Sequence, residues 1–520
     1  MQTSAAVQQG TESNFLRKWL NRNFSFAFFA GFGLTLLIHA FAFLNHLNNH
    51  DQIRNTFAMP ASFVLGRWFL DVALEVGTRL SMPWFNGVLM ALLLGLSVAF
   101  IVDMYQMQNK TLIFLLAFCF VSFSSISSTV MFIHIADIMG MSILLSTIAA
   151  WMTVRWKWGF LPALLPLTLS MGIYQAFWSF AVALLAIHGL LLLLQGKMTD
   201  KEIFGQALRY VLLLLGSAAC YMVANKILLS ITETALHAYM GVDQMYNFPL
   251  LRIPYLMKNG YLAFFHYIFN DARLDGHSFG MCIQIFLLLF SAISILLFTL
   301  QKQRTLFQAL CIAGISLLLP LALNSVHLLN PASVYELMTL SISGLYILAS
   351  LLAEKWLLCS EKKRLTTRGA VLATAFCLSI TGFYGAARAN QQYYMASLDF
   401  NASSSYMTRV VARLESHEAF TRETPVAFVG AVSAGNYGNV PFYGLMDRYR
   451  GQKPLDHLKS DSHIRGFLFG YLEITFPLPS PEQDAALREM EQVQAMPSYP
   501  AKDCIQLIDG VLVVKVGPPR

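Results

Sequence analysis

The chain has 520 residues, of which 56% are hydrophobic and only 12% are charged, and its formal net charge is +7. A mean hydropathy of +0.54 and repeated apolar runs of about 20 residues exclude an ordinary water-soluble globular protein, because such runs are long enough to cross a bilayer. The basic residues cluster in short loops between apolar runs, so membrane topology explains the positive charge and nucleic acid is not expected as a partner.

The first apolar run extends from about Ser25 to Leu44 and follows Arg17, Lys18 and Arg22. It is too long for the core of a signal peptide and lacks a convincing cleavage site, so it predicts a first transmembrane helix. Continuous Leu, Ile, Phe and Ala runs without two-residue alternation favour helices over a membrane barrel.

The apolar runs together predict about eleven transmembrane helices. They fall near 25–45, 84–102, 111–130, 135–153, 159–173, 176–194, 209–230, 279–300, 306–325, 333–353 and 369–388. With the N-terminus in the cytoplasm, the basic clusters all fall on the cytoplasmic side, as membrane proteins prefer. These clusters are Arg17/Lys18/Arg22, Lys110, Arg155/Lys157, Lys197/Lys201/Arg209, Lys302/Arg304 and Lys355/Lys362/Lys363/Arg364/Arg368.

The topology depends on residues 159–194, where Pro162 and Pro166 interrupt the apolar pattern. A single helix here would move the Lys197 loop outside and invert every later span. The charge bias favours a short or broken helix followed by a full one.

This topology places three segments outside: residues 46–83, residues 231–278 and residues 389–520. The third is predicted to be a soluble α/β or α+β domain, with a helix from Asn390 to Phe420 and buried strands at 425–430 and 510–516. The glycines at 435–438 are too close together for a nucleotide-binding loop. Seven cysteines show neither a disulfide framework nor zinc spacing.

Asp51 is the most informative polar residue, because it follows the first apolar run directly at the mouth of a membrane helix. A carboxylate is expensive at such a place and predicts a functional role.

The first outer segment also predicts an amphipathic helix from about Ala61 to Leu80. Arg67, Asp71 and Glu75 are four residues apart and so share one face. One interpretation is a solvated stripe on an interfacial helix. The other is that Arg67 faces the site of Asp51 and binds a phosphate or a sugar hydroxyl.

His134 and Asp137 open the predicted fourth span. An intramembrane acid is a candidate functional residue, whereas a carboxylate at a helix start is also favoured by the helix dipole. A His and an Asp three residues apart are weak evidence for a metal.

Two further outer segments carry candidate binding residues. Tyr174 and Gln175 lie at the turn between the fifth and sixth spans, where interfacial aromatics are common and a Gln can hydrogen-bond a sugar. Arg252 and Lys258 lie in an aromatic-rich loop, either as interfacial anchors or as ligands of a lipid phosphate.

The order of these motifs resembles the type II glucosyltransferase family, the serotype-converting enzymes that modify O-antigen and belong with the GT-C class of membrane glycosyltransferases. The motifs are Asp51, Gly66-Arg67-Trp68, Asp137, Tyr174-Gln175 and a C-terminal segment with Ala389–Tyr393 and Thr424-Pro425-Val426. The resemblance covers most of the chain. It implies a GT-C-like transmembrane domain over 1–388 and a periplasmic domain over 389–520.

The resemblance also implies a function. It implies an inverting transfer of a sugar from a polyprenyl-phosphate donor, such as undecaprenyl-phosphate glucose, to an O-antigen or lipopolysaccharide glycan at the periplasmic face of the bacterial inner membrane. Functional partners would be the donor synthase and its flippase. Asp51 matches the first-outer-loop acid and would be the catalytic base. Family members often have two adjacent acids, whereas this chain has His50-Asp51, so a divalent metal is considered but not expected.

Two other classes fit the composition. A lipid-linked glycan flippase would use as many spans, but transporters tend to show inverted repeats and midplane sites, whereas the polar residues here gather at one face. A non-enzymatic scaffold would tolerate neutralised outer acids.

Overall fold

The computed structural model describes residues 22–47, 49–55, 62–77, 81–236, 252–271, 278–329, 334–359, 365–432 and 458–518. Several residues of the sequence predictions lie outside these ranges, namely Arg17, Lys18, 237–251, 362–364 and 435–438.

The protein is mainly helical, and its helices follow the apolar runs. In chain order they are α1 (Arg22–Leu44), α2 (His50–Asn55), α3 (Trp68–Val76), α4 (Pro83–Tyr105), α5 (Lys110–Val121), α6 (Ser124–Val130), α7 (Ala136–Arg155), α8 (Phe160–Ile173), α9 (Trp178–Gln195), α10 (Asp200–Ile231), α11 (Ile253–His266), α12 (Phe279–Leu300), α13 (Leu306–Ala322), α14 (Val326–Leu329), α15 (Gly344–Cys359), α16 (Leu365–Glu415), α17 (Asp461–Leu472), α18 (Pro481–Glu489) and α19 (Glu491–Ala495).

Among the described residues, eight helices are long and apolar enough to cross a membrane, or nine if α5 and α6 form one span bent by 50°. The protein is therefore membrane-embedded. Two shorter apolar helices, α8 and α13, coincide with the other two predicted runs. The predicted count of eleven spans is not confirmed, because these two helices are too short to qualify on length.

The predicted break within 159–194 is present. α8 contains Pro166 and ends at Ile173, and a 3₁₀ turn over Gln175–Phe177 leads into the separate helix α9. Tyr174 has an extended backbone (φ −152°, ψ 109°), so the helix hydrogen-bond ladder stops there. The two-helix interpretation is confirmed.

The basic loops gather at one end of the bundle, as the charge pattern predicts. Side chains at this end donate to carbonyls of neighbouring elements: Arg209 to the Thr153 carbonyl (2.6 Å), Arg304 to the Leu193 carbonyl (2.6 Å) and Asn23 to the Met107 carbonyl (3.1 Å). Glu354 accepts from the Gln108 amide (2.7 Å) at the same end. The segments that carry the candidate site residues lie at the opposite end.

α16 joins the bundle to the C-terminal elements without interruption. Its 51 residues extend roughly 77 Å, far more than the roughly 30 Å of a hydrocarbon core. The apolar half packs on α1, α5 and α15, and the other half contacts α17. The predicted division at residue 388/389 thus falls inside one continuous helix.

A three-stranded sheet forms the centre of the C-terminal elements, in the order β1 (Val426–Val429), β3 (Val511–Lys515) and β2 (Ile505–Ile508). β1 and β3 are parallel, while β2 and β3 are antiparallel. Both predicted strands are present, and β2 was missed. Its signal was available, because Asp509-Gly510, both with positive φ, is a typical two-residue hairpin turn.

The predicted continuous helix over 61–80 is wrong. The described part consists of a 3₁₀ turn over Phe63–Leu65, then Gly66 in the left-handed region (φ 73°), then α3. A side chain at Gly66 would run into the Tyr221 hydroxyl and the Gln175 amide. The glycine is needed both for its backbone conformation and for this close approach.

Candidate active site

Asp51 lies in the first turn of α2, a helix of only six residues. The buried Asn49 caps this helix, because its side-chain oxygen accepts the Gln52 backbone N–H at 2.9 Å. The Asn49 amide donates to the Met131 carbonyl at 2.7 Å. Asn49 therefore ties the Asp51 helix to the end of α6, and the Asp51 side chain remains half-buried.

His134 follows three residues after Met131, in the turn that leads into α7. The Asp51 carboxylate is close enough for its charge to act on the His134 ring. His134 is 5% exposed, and its Nδ1 has no hydrogen-bond partner within the described part of the chain. A buried polar nitrogen of this kind costs roughly 1–3 kcal/mol if it stays unsatisfied, so the pair forms a polar site within an apolar surrounding.

Asp137 lies three residues after His134, in the first turn of α7. It is 2% exposed, and its Oδ1 accepts a hydrogen bond from Asn86 Nδ2 at 3.0 Å. The fully buried Asn86 in turn accepts the Met82 backbone N–H through Oδ1 at 3.0 Å. Asp137 thus links the starts of α4 and α7.

Arg67 precedes α3 and stacks on Tyr174. Its guanidinium carbon lies 5.0 Å from the centre of the Tyr174 ring, within the range of a cation–π interaction. Tyr174 is 5% exposed, whereas Arg67 is half-buried. The ring therefore holds the guanidinium in place while part of it remains accessible.

Gln175 and Tyr221 hold the backbone beside Arg67. Gln175 Nε2 donates to the Leu65 carbonyl (3.1 Å) and to the Tyr221 hydroxyl (2.9 Å). The Tyr221 hydroxyl donates to the Gly66 carbonyl at 3.0 Å. The amide nitrogen of Gln175 is therefore used within the protein, and these contacts fix the Gly66-Arg67 backbone against α10.

The site residues form two groups at opposite ends of α3. Arg67 and Tyr174 lie at the N-terminal end of α3. Gly77 lies at the C-terminal end, beside Asp137: a Cβ built at Gly77 would be 3.4 Å from Asp137 Oδ2. Ten residues of helical rise separate the ends by roughly 15 Å. At the Arg67 end, the Asp71 carboxylate accepts the Ser62 backbone N–H at 2.8 Å and so fixes the turn that precedes α3.

Arg252 and Lys258 lie on a third element. Arg252 is the residue before α11, Lys258 lies within α11, and both are exposed. Six residues of helical rotation place them about 120° apart around the axis. They therefore present positive charge along the exposed surface of α11. The opposite, buried side of α11 packs against the segment after α13, where Asn324 Nδ2 donates to the Gly260 carbonyl at 3.1 Å.

Two short apolar helices, α8 and α13, lead to segments that meet near Tyr174. The 14 residues of α8 span roughly 21 Å, against about 30 Å for a bilayer core. α13 ends at Ala322 and leads into α14, which contacts the 3₁₀ turn after Tyr174. The Tyr174 side chain at this turn is 5% exposed.

The described residues contain no group of three or more His, Cys, Asp or Glu side chains that could hold a metal ion.

Three polar residues of this end were missed from the sequence. Asn49 and Asn86 carry no signal beyond their position at helix starts, since their partners are distant in the chain. Glu336 had a signal, because it is an acid within the predicted span 333–353. It lies in a 3₁₀ turn that packs against α6, and Ser128 Oγ donates to its Oε2 at 3.3 Å.

These features define an integral membrane protein with its candidate polar residues at the end opposite the basic loops. The family model described as Glucosyl transferase GtrII matches residues 40–353, more than half of the chain, and the chain belongs to this family. The match includes every candidate site residue from Asp51 to Lys258. No curated protein matches the chain, and no solved structure matches it either.

Family membership makes the protein a glycosyltransferase and confirms the resemblance to type II glucosyltransferases. It favours sugar transfer over the transporter and scaffold alternatives. α16, α17 and the sheet lie beyond the matched residues.

Proposed function

We propose that this protein transfers glucose from a polyprenyl-phosphate donor, such as undecaprenyl-phosphate glucose, to an O-antigen or related lipopolysaccharide glycan. The observation that carries the proposal is the half-buried Asp51 carboxylate, whose charge reaches the buried His134 ring, at the end of the bundle opposite the basic loops. The positive-inside rule supports a cytoplasmic position for those loops, and so supports a periplasmic position for the site.

In the proposed reaction Asp51 is the general base. An acceptor hydroxyl oxygen forms a bond to the anomeric carbon while the bond from that carbon to the phosphate oxygen breaks. The electron pair leaves with the phosphate, and the hydroxyl proton passes to Asp51. A single displacement of this kind inverts the anomeric configuration.

The developing negative charge on the phosphate requires a cation. Arg67 is the proposed cation, because Tyr174 stacks on its guanidinium at 5.0 Å and Gln175 and Tyr221 hold the preceding backbone. The role requires the bound sugar phosphate and the extended Arg67 side chain together to cover the roughly 15 Å between the two ends of α3. A guanidinium also presents several donors in the geometry that phosphate accepts. Gln175 supports this cation from within the protein, since its amide nitrogen donates to the Leu65 carbonyl and the Tyr221 hydroxyl.

The lipid part of the donor fits an apolar groove between α12, α13 and α15. The groove has a volume of about 320 Å³ and includes Ala292, Ala313 and Leu323 in its lining. Phe264 of α11 contributes to it at the outer end. Because α11 also carries Lys258 and follows Arg252, one helix connects the groove to two exposed cations that attract the donor phosphate.

The test uses purified protein in detergent or nanodiscs with polyprenyl-phosphate glucose and a lipid-linked acceptor. Release of polyprenyl phosphate in step with acceptor glucosylation is expected. Movement of the intact donor across a bilayer without release of polyprenyl phosphate would contradict the proposal. The same assay with other polyprenyl-phosphate sugars determines which sugar is transferred.

A further inference from the structure

The short helix that carries Asp51 is held from two sides. Asn49 attaches it to the membrane bundle through the Met131 carbonyl. On the other side Ile53 is 1% exposed and belongs to the same hydrophobic cluster as Tyr406, Val410, Phe428 and Phe467. These partners belong to α16, β1 and α17. A residue two positions from Asp51 is thus part of the core of the C-terminal elements.

The contact between α2 and α17 is a backbone contact made possible by a glycine. A side chain built at Gly466 would place its Cβ 2.7 Å from the Ile53 carbonyl oxygen and 3.3 Å from the carbonyl carbon. Neither atom can move without moving the backbone of α2. Gly466 lies within the regular helix α17, so the glycine serves close approach and not an unusual backbone conformation.

α17 is itself fixed to the sheet. Asp461 Oδ1 accepts the Phe428 backbone N–H at 3.1 Å, and Arg465 pairs with Asp461 at 2.8 Å. Arg465 also donates to the Val426 carbonyl. The sheet, α17 and the Ile53 backbone therefore form one connected unit.

An isolated helix of six residues is not stable, since nucleation costs more than so few hydrogen bonds return. The orientation of Asp51 must then come from the elements that α2 packs against. We propose that the C-terminal unit positions the catalytic base, with Ile53 and Gly466 as positioning residues. The C-terminal elements, outside the family match, complete the active site. This inference rests on the proposed role of Asp51.

The experiment compares Gly466→Ala with Gly369→Ala in the full-length protein. Gly369 lies in α16, and a Cβ built at this position would have no atom within 4 Å, so its variant controls for the substitution itself. For Gly466→Ala, kcat for glucose transfer is expected to fall at least about tenfold, because a misplacement of about 1 Å costs up to about 100-fold. The KM for the donor is expected to stay within about twofold, since the donor contacts lie elsewhere.

Hydrogen exchange provides a readout that does not depend on activity. Amides of residues 51–55 are expected to exchange faster in Gly466→Ala, while those of β1 remain protected. If Gly466→Ala also lowers the protection of β1, Ile53→Ala is used as the test variant instead and is expected to show the same loss of kcat. Ile53→Val is its conservative control and is expected to keep the wild-type rate and exchange.

Unchanged exchange in α2 together with a kcat within twofold of Gly369→Ala would overturn the inference. Failure of the proposed function gives a different result. In that case Asp51→Asn keeps the wild-type rate, whatever happens to exchange in Gly466→Ala.

Discussion

The guanidinium of Arg67 lies 5.0 Å from the centre of the Tyr174 ring, although the two residues belong to different outer segments of the chain. Tyr174 is buried and Arg67 is half-buried. The ring therefore limits the positions of the charge without removing it from the site. A cation that is fixed before the substrate arrives stabilises a developing phosphate charge without the cost of reorganisation.

The first prediction concerns Arg67. Arg67→Ala is expected to lower kcat/KM by about 100-fold, the order seen when a fixed transition-state donor is removed. Arg67→Lys should recover part of the loss, because an ammonium keeps the charge but neither stacks nor binds in a bidentate manner. Initial rates of glucose transfer from the polyprenyl-phosphate donor measure both effects.

Tyr174→Phe is the matched control, since it keeps the aromatic face under Arg67 and removes only the hydroxyl. Its rate should stay within a few-fold of wild type, whereas Tyr174→Ala should approach the Arg67→Ala rate. Wild-type rates in both Arg67→Ala and Arg67→Glu would remove Arg67 from the mechanism.

The second prediction concerns the buried pair Asn86–Asp137. Asn86→Ala removes the donor to Asp137 Oδ1 and leaves a buried carboxylate oxygen short of a partner. A loss of roughly 1–3 kcal/mol in the free energy of unfolding is expected, seen as a lower midpoint of thermal unfolding in detergent.

Asn45→Ala serves as the comparison for this pair. Asn45 follows the last residue of α1, is half-buried and donates to the Phe41 carbonyl at 2.7 Å. Its loss should cost less, because no buried carboxylate depends on it. Equal midpoints of thermal unfolding for the two variants would show that the Asn86–Asp137 hydrogen bond does not stabilise the packing of α4 on α7.

The third prediction concerns the apolar groove. Ala292→Trp and Ala313→Trp fill the groove that is proposed to hold the polyprenyl chain. Both should raise the KM for a long-chain donor severalfold and leave the KM for a short-chain analogue almost unchanged. Leu310→Trp is the control, because Leu310 is 61% exposed on the same helix as Ala313 and is not part of the groove lining.

An equal rise of KM for both donors in the Ala313→Trp variant would contradict this placement of the chain. An unchanged KM in Ala292→Trp and in Ala313→Trp would show that the chain lies elsewhere.

The sequence predicted the parts of the fold that depend on local pattern. The apolar runs located the membrane helices, Pro166 and the charge bias located the break before Tyr174, and β-branched runs located β1 and β3. The same local reasoning failed at Gly66. There, contacts from Tyr221 and Gln175 in distant helices select a left-handed turn over the helix that the spacing favours.

The candidate site was predictable only as separate residues. Asp51, Arg67 and Asp137 stand out as charges beside apolar runs, which is a local signal. Their partners are not local: Asn86 reaches Asp137 across two helices, and Ile53 reaches Gly466 near the other end of the chain. No periodicity in one sequence encodes such pairings, because they depend on how the helices pack.

The central claim is that Asp51 is the base in glucose transfer from a lipid-linked donor, and Asp51→Asn tests it most directly. The substitution keeps the size and polarity of the side chain but removes its ability to take a proton. The measurement is the single-turnover rate with saturating polyprenyl-phosphate glucose and a lipid-linked acceptor. A fall of at least about 100-fold, with donor affinity unchanged, is the predicted result. A rate close to that of the wild type would contradict the account.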